Sequence, residues 1–318
     1  MRDPRDRGIQ FPPQKPANEQ TLSASTPDAP PCAGPDRRLR APRLRLPAGT
    51  VDCHAHVFGP RERFPFSPER SYTPEDCTVD DYRALLDTLG IDRCVIVHGG
   101  AHGTENSATL AALQSMGARA RGVAVIRPGL GDEALDALHA GGMRGCRISS
   151  VVRGGARFEH LEDLARETHR LGWHLLMHLH RSDELVELAP RLRALANPFV
   201  LDHLAHVLGS EGPSAPGFQA LLSLLDTDRC WVKLASLYRS SALPYPHEDM
   251  LPMIHAVVRA RPDRIIWGTN WPHPIYRGPM PNDADLVDLL PSWIPDEEVR
   301  HRLLVDNPAR LYGFDLSE

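Results

Sequence analysis

Lysine is almost missing from this chain of 318 residues: of its 36 basic side chains only Lys15 and Lys233 are lysines. That skew, with 30 prolines, reflects genome composition more than function. A net charge of −5 with a pI near 6.3 speaks against a dedicated nucleic-acid binder. Long apolar runs are missing too. None reaches the ~20 residues that span a bilayer, and residues 1–10 are charged where a secretory signal would be apolar. Arg37-Arg38 is followed by more Arg and Pro, which argues against twin-arginine export. The six cysteines (Cys32, Cys53, Cys77, Cys94, Cys146, Cys230) contain no C-x-x-C pair, so reduced thiols in a cytoplasm are the economical reading. No G-x-S-x-G elbow points to a serine hydrolase, and no Gly-rich phosphate turn follows the first apolar run.

What is present is an ordinary globular balance, 42% hydrophobic and 24% charged. Composition shifts once. Residues 1–46 are rich in Pro and Arg with no apolar periodicity, which predicts a disordered tail or a misplaced start, with one domain over 47–318. Within that domain eight short apolar runs, at 50–57, 93–98, 122–126, 145–149, 174–180, 199–203, 230–235 and 264–269, alternate with amphipathic stretches. The stretch 78–89 starts at a plausible N-cap, Thr78, with Asp81 three residues on, and carries Val79, Tyr82, Leu85, Leu86 and Leu89 on one face. Alternating strands and helices of this number predict an α/β fold, a parallel (β/α)8 TIM-like barrel.

A barrel of this kind gathers polar side chains at the C-terminal ends of its strands. The first run ends Asp52-Cys53-His54-Ala55-His56, whose period of two sends both histidines to one face. The fourth ends at Arg147, the fifth at His178 and His180, the sixth at Asp202-His203, and the eighth leads into Asn270-Trp271-Pro272-His273. A lone histidine is most often a satisfied core or surface residue. An H-x-H at a first strand with histidines at two later strand ends is rarely so.

These residues carry a resemblance. The segments Val51-Asp52-Cys53-His54-Ala55-His56, Trp267-Gly268-Thr269-Asn270-Trp271-Pro272-His273 and Asn307-Pro308-Ala309-Arg310-Leu311-Tyr312 are similar to the amidohydrolase superfamily (amidohydrolase-related family 2). Within it they resemble the branch of 2-pyrone-4,6-dicarboxylate lactonase and other sugar-acid or muconolactone hydrolases. The resemblance implies a metal-dependent-hydrolase type of barrel in which His54, His56 and His178 hold a divalent metal such as Zn2+. Members of the dicarboxylate branch also work without a metal, the histidines then polarising the scissile carbonyl. It further implies a small anionic organic-acid substrate, gripped by Arg147, Arg153 and Arg239 with Thr104, Asn106, His180, His206 and His273 nearby. His203, His178 and residue 270 would carry the catalysis.

There are two departures. The family's acid/base Asp at the end of strand eight is Asn270 here, and an amide cannot take a proton near neutral pH. Either another base serves, such as His178, His203 or His273, or the chain is a weakened ligand-binding relative, or the Asn is engineered or incidental. His206 stands where lactonase relatives place a further Arg. The implied activity is hydrolysis of a carboxylated lactone; a nonoxidative decarboxylase and a noncatalytic binding protein are the alternatives.

Overall fold

The computed structural model of the protein describes residues 29–315. Eight parallel strands follow one another around a barrel in sequence order. They are β1 Val51–Ala55, β2 Arg93–Val97, β3 Ala120–Ala124, β4 Met143–Ser149, β5 His174–His178, β6 Phe199–Leu201, β7 Cys230–Leu234 and β8 Ile265–Trp267. The crossover helices are α1 Val79–Leu89, α2 Ser107–Met116, α3 Asp132–Ala140, α4 Leu161–His169, α5 Glu184–Ala194, α6 Pro216–Leu225 and α7 Leu251–Ala260. Four short helices complete the chain: α8 Asp283–Asp288, α9 Leu290–Trp293, α10 Glu297–His301 and α11 Asn307–Tyr312.

All eight expected runs hold a strand, and α1 begins as its sequence requires. Thr78 accepts from the Asp81 backbone, Asp81 returns the bond, and Gly90 closes the helix in the left-handed region. Helix α5 runs through Pro190, with Leu185, Leu188 and Leu192 as one buried stripe. None of the six cysteines is disulfide-bonded. Among the described residues no helix is long and apolar enough to cross a membrane.

The barrel closes just past β8 and not along it. Asn270 donates its backbone N–H to the His54 carbonyl (2.7 Å), and His56 donates to the Trp271 carbonyl (2.7 Å). Close approach here requires glycine: a Cβ at Gly268 would stand 2.6 Å from the His54 nitrogen. Buried Asp52 ties the seam, accepting from the backbone of His54 and Thr269 (3.0 Å each) and from the hydroxyls of Thr269 (2.6 Å) and Tyr82 (2.9 Å).

A break in register sets the direction of the first-strand histidines. Asp52 pairs with Cys94 but Ala55 pairs with Ile96, so β1 spends one extra residue against β2. Before this bulge Val51 and Cys53 pack in the barrel interior with Val95, Val97 and Leu176, while Asp52 turns outward to Tyr82. Unbroken alternation would then send His54 outward. The bulge reverses the parity and brings His54 and His56 inside, beside Lys233 and Val97.

The expected tail needs correction over its described part. Residues 29–46 have no helix or named strand, yet Cys32 and Thr73 exchange backbone bonds with this segment (Cys32 N–H to the Thr73 carbonyl, 3.0 Å; Thr73 N–H to the Pro30 carbonyl, 2.8 Å). Arg43 binds Asp288 through its backbone (2.7 Å) and guanidinium (3.0 Å), and Leu46 joins the core. Backbone pairing and ion pairs hold a strap that shows no apolar periodicity. Residues 1–28 of that expectation lie outside the described residues.

Candidate active site

A cavity at the C-terminal mouth is lined by His56, Arg147, His178, His203, His206, Arg239 and Asn270, with Tyr72, Val151, Val152, Pro274 and Ile275. Seven of the side chains expected from sequence therefore meet there. Four others do not. His180 follows the end of β5 and is exposed, its backbone N–H bonded to Ser150 and Glu184; the shared parity with His178 lapses once the strand stops. Thr104 is exposed, and Asn106 is buried as a brace, donating to the Thr104 and Val125 carbonyls and accepting from Val125. His273 is fully buried behind the cavity, between Tyr238 and Asp283. Arg153 is exposed and lines an adjoining cleft that shares Arg147 and Val152 with the main cavity.

Hydrogen bonding fixes which ring nitrogens carry protons. His56 Nδ1 faces the Val97 carbonyl at 2.8 Å and must donate, so its Nε2 is a bare acceptor. His54 Nε2 lies 3.3 Å away, and His54 Nδ1 stands between the Asp202 carboxylate at 3.1 Å and the Lys233 ammonium at 3.2 Å. Ser149 Oγ already accepts from the backbone of Val151 and Val152 (3.1 Å each), so its own proton goes to His178 Nδ1 at 2.9 Å. His178 therefore presents an N–H. His203 Nδ1 donates to the Ala235 carbonyl at 3.2 Å and keeps a bare Nε2, 3.3 Å from an Asp202 oxygen. One ring is thus a donor and the next an acceptor. Burial holds His54 and His206 down to about 4 and His56, His178 and His203 well below the usual imidazole value, so all are neutral at neutral pH.

His203 and His206 sit on an unusual turn. Residues His203, Leu204, Ala205 and His206 all have φ of 52–54°, a left-handed run of four non-glycine residues. Such backbone costs on the order of 1–3 kcal/mol per residue and is found where function demands it.

Beneath the cavity lies a dry charge cluster. Asp202 is fully buried, 3.1 Å from His54 Nδ1, 3.6 Å from Lys233 and 3.7 Å from Arg147. Burial opposes its charge, but His203, His54 and Lys233 outweigh that and keep its carboxyl well below the ordinary range. Arg147 is itself buried, and its Nε has no partner. Arg239 spends one N–H on the Pro274 carbonyl (2.6 Å) and lies over Tyr276. Asn270, at φ 66°, donates its amide to the Tyr238 hydroxyl (3.2 Å), which meets His273 Nδ1 (2.8 Å), whose Nε2 is 3.3 Å from Asp283. Burial disfavours a charged His273, yet Tyr238 and Asp283 raise it to about 9.

Sequence reasoning missed Lys233, Tyr72 and the pairing of His273 with Tyr238 and Asp283. Lys233 left a signal, a lone lysine in the apolar run Cys230-Trp231-Val232-Lys233-Leu234 of an arginine-dominated chain. Tyr72 left none.

The amidohydrolase family model matches residues 51–314. The chain belongs to the amidohydrolase family. It is 36% identical to the 4-sulfomuconolactone hydrolase of Rhizobium radiobacter, over 92% of this chain and 99% of that protein. It is 38% identical to the 2-pyrone-4,6-dicarboxylate hydrolase of Comamonas testosteroni, over 85% of this chain and 92% of that one. A crystal structure of a probable 2-pyrone-4,6-dicarboxylic acid hydrolase from Acinetobacter baumannii, with citric acid bound, superposes with a TM-score of 0.74 at 26% identity, covering 84% of this chain and 100% of that one.

Among the described residues of this amidohydrolase two groups have donor atoms within 4.8 Å of one another, close enough to hold a metal ion: His178, His203 and His206, and His54, Asp202 and His203. The expected set of His54, His56 and His178 is neither of these, because His178 turns towards His203 and His206. The protons of both groups fit a divalent cation poorly. In the first, His178 offers an N–H where a metal needs a lone pair; in the second, the Lys233 ammonium already faces His54 and Asp202.

Proposed function

We propose that this amidohydrolase opens a carboxylated lactone by adding water to the ring ester, the substrate belonging to the 2-pyrone-dicarboxylate, muconolactone or sugar-acid lactone type. The observation that carries the reading is Arg147: a buried guanidinium with an unpartnered Nε at the wall of a cavity that neutral histidines, an amide and a second guanidinium also line. Such a site favours an anionic group it can grip through a guanidinium N–H. Arg239 at the same cavity suits a second carboxylate, and Arg153, in the adjoining cleft, suits the tail of a longer acid.

The neighbouring rings divide the chemistry. The bare Nε2 of His203 is the base for the attacking water, and Asp202, 3.3 Å away, stabilises the imidazolium that results. The N–H of His178 faces the carbonyl oxygen as negative charge develops on it, a role worth roughly 10²–10³ in rate for a single donor. Asn270 holds the water instead of deprotonating it: its NH2 is committed to Tyr238, which leaves Oδ1 to accept a water hydrogen. As the ring C–O bond breaks, His203 returns the proton to the leaving oxygen, and an open-chain acid with one more carboxylate is released. The six unpaired thiols support a reducing, cytoplasmic setting for this reaction.

The test is a screen of lactones of di- and tricarboxylic acids, with and without Zn2+ or Mn2+, following acid release and ring opening. Turnover of a carboxylated lactone, and not of its uncharged analogue, is the expected result. Release of CO2 would replace this reading with a decarboxylase, and saturable binding without turnover would replace it with a binding protein.

A further inference from the structure

We propose that Lys233 is a built-in cation occupying the place of a divalent metal at the floor of the site. His54, Asp202 and His203 form a group whose donor atoms lie within 4.8 Å of one another, the spacing of a metal centre before it contracts on an ion. The ammonium of Lys233 contacts two of these three residues, at 3.2 Å from His54 Nδ1 and 3.6 Å from Asp202 Oδ1. All four side chains are buried, and Lys233, His54 and Asp202 have no solvent exposure at all.

The electrostatics of this floor are already balanced by side chains. Asp202 is a buried anion that meets His54 Nδ1 at 3.1 Å and is held by the positive charges of Lys233 and Arg147. A metal ion sharing that carboxylate would bring two further positive charges within a few ångströms of the ammonium, in a site that water does not screen. The ammonium and the Asp202 carboxylate both stand against His54 Nδ1, at 3.2 and 3.1 Å, so that nitrogen is not free to ligate a metal.

Composition points the same way. A chain that uses arginine for nearly every basic position keeps lysine here, at an interior position of β7. A compact ammonium with three rotatable donors imitates a metal ion; a planar fork does not. The left-handed turn that follows β6 holds His203 against the same carboxylate, so the group is assembled by backbone strain around a cation that the chain itself supplies.

Metal uptake tests this without reference to the substrate. The full chain is stripped with chelator, then titrated with Co2+ while the visible d–d absorption, equilibrium dialysis and melting temperature are followed. The wild-type protein is expected to show no stoichiometric uptake. Lys233→Met removes the charge but keeps the stem; it should melt lower, bind about one equivalent of Co2+ at least tenfold more tightly than wild type, and recover melting temperature on adding Zn2+. Lys233→Arg keeps the charge and should remain without metal. Stoichiometric uptake by the wild-type chain, lost in His54→Ala, would overturn the proposal whether or not the Met variant folds. A folded Met variant that binds Co2+ no better than wild type would overturn it too. Lactone hydrolysis is read separately, so failure of the proposed reaction leaves this result distinct.

Discussion

The two ends of one barrel are built from the same strands and do opposite work. At the N-terminal end the inward positions are Val51, Cys53, Leu176, Val200, Trp231 and Ile266, sealed by Tyr312 and Phe314 from the last turn of the chain. Two residues further along three of those strands, the inward positions become His178, Asp202 and Lys233, and beyond the bulge of β1, His54 and His56. The apolar end contributes burial free energy, about 25 cal/mol per Å² of apolar surface. The polar end forgoes part of that, carrying Asp202 and Arg147 with unmatched polar atoms and four residues in left-handed backbone. Stability is concentrated at one end so that strain and desolvated charge can be tolerated at the other.

Substitutions at the two ends should separate cleanly. The largest effect is expected at the mouth: His203→Gln removes the proposed base and should lower kcat by roughly 10²–10⁴, measured on the lactone found by screening, while the melting temperature changes little. Arg147→Met comes next, weakening substrate binding by about 2–5 kcal/mol when the pair is desolvated, seen as a rise in KM. Arg153→Met, at the exposed rim, should change it far less. At the sealed end Leu176→Ala should lower stability by about 2–5 kcal/mol in denaturant unfolding and leave kcat of the folded fraction unaltered. Equal losses of kcat at Leu176 and His203 would break the comparison.

Asn270→Asp gives a smaller and more pointed effect. Tyr238 already spends its hydroxyl between residue 270 and His273, and a new carboxylate would repel an anionic substrate. A loss of several-fold is expected where His203 is the base; a gain of 10² or more would show that the site had kept the family's carboxylate chemistry in reserve.

Acidity offers the mildest probe. His54, His98, His174 and His206 are held by burial at about 3 to 4 in the folded chain, against 6.5 in ordinary surroundings. The unfolded chain therefore binds more protons between those values. Stability should be full above pH 6.5 and fall as pH drops towards 4, read as a declining melting temperature. His273, raised to about 9, works in the other direction: its contribution is present below 6.5 and is lost as pH rises through 9.

The amino-acid sequence alone determined the alternation of strands and helices, the cap at Thr78, and the gathering of histidines and Arg147 at strand ends. These depend on local periodicity and on the rule that barrels expose their chemistry at one face. It could not decide whether His54 and His56 face inward or outward, because a period of two places both on one side without saying which; one extra residue in β1, visible only in its pairing with β2, made that choice. Nor could it show that His180, Thr104 and His273 stay out of the cavity, since each stands beside the expected motif: His180 and Thr104 are exposed, and His273 is buried between Tyr238 and Asp283. The strap at 29–46 escaped detection because its partners, Thr73 and Asp288, are distant in the chain. Lys233 was plain in the sequence as an oddity, but its meaning rests on three side chains from β1, β6 and β7 meeting within a few ångströms, which only closure of the barrel brings about.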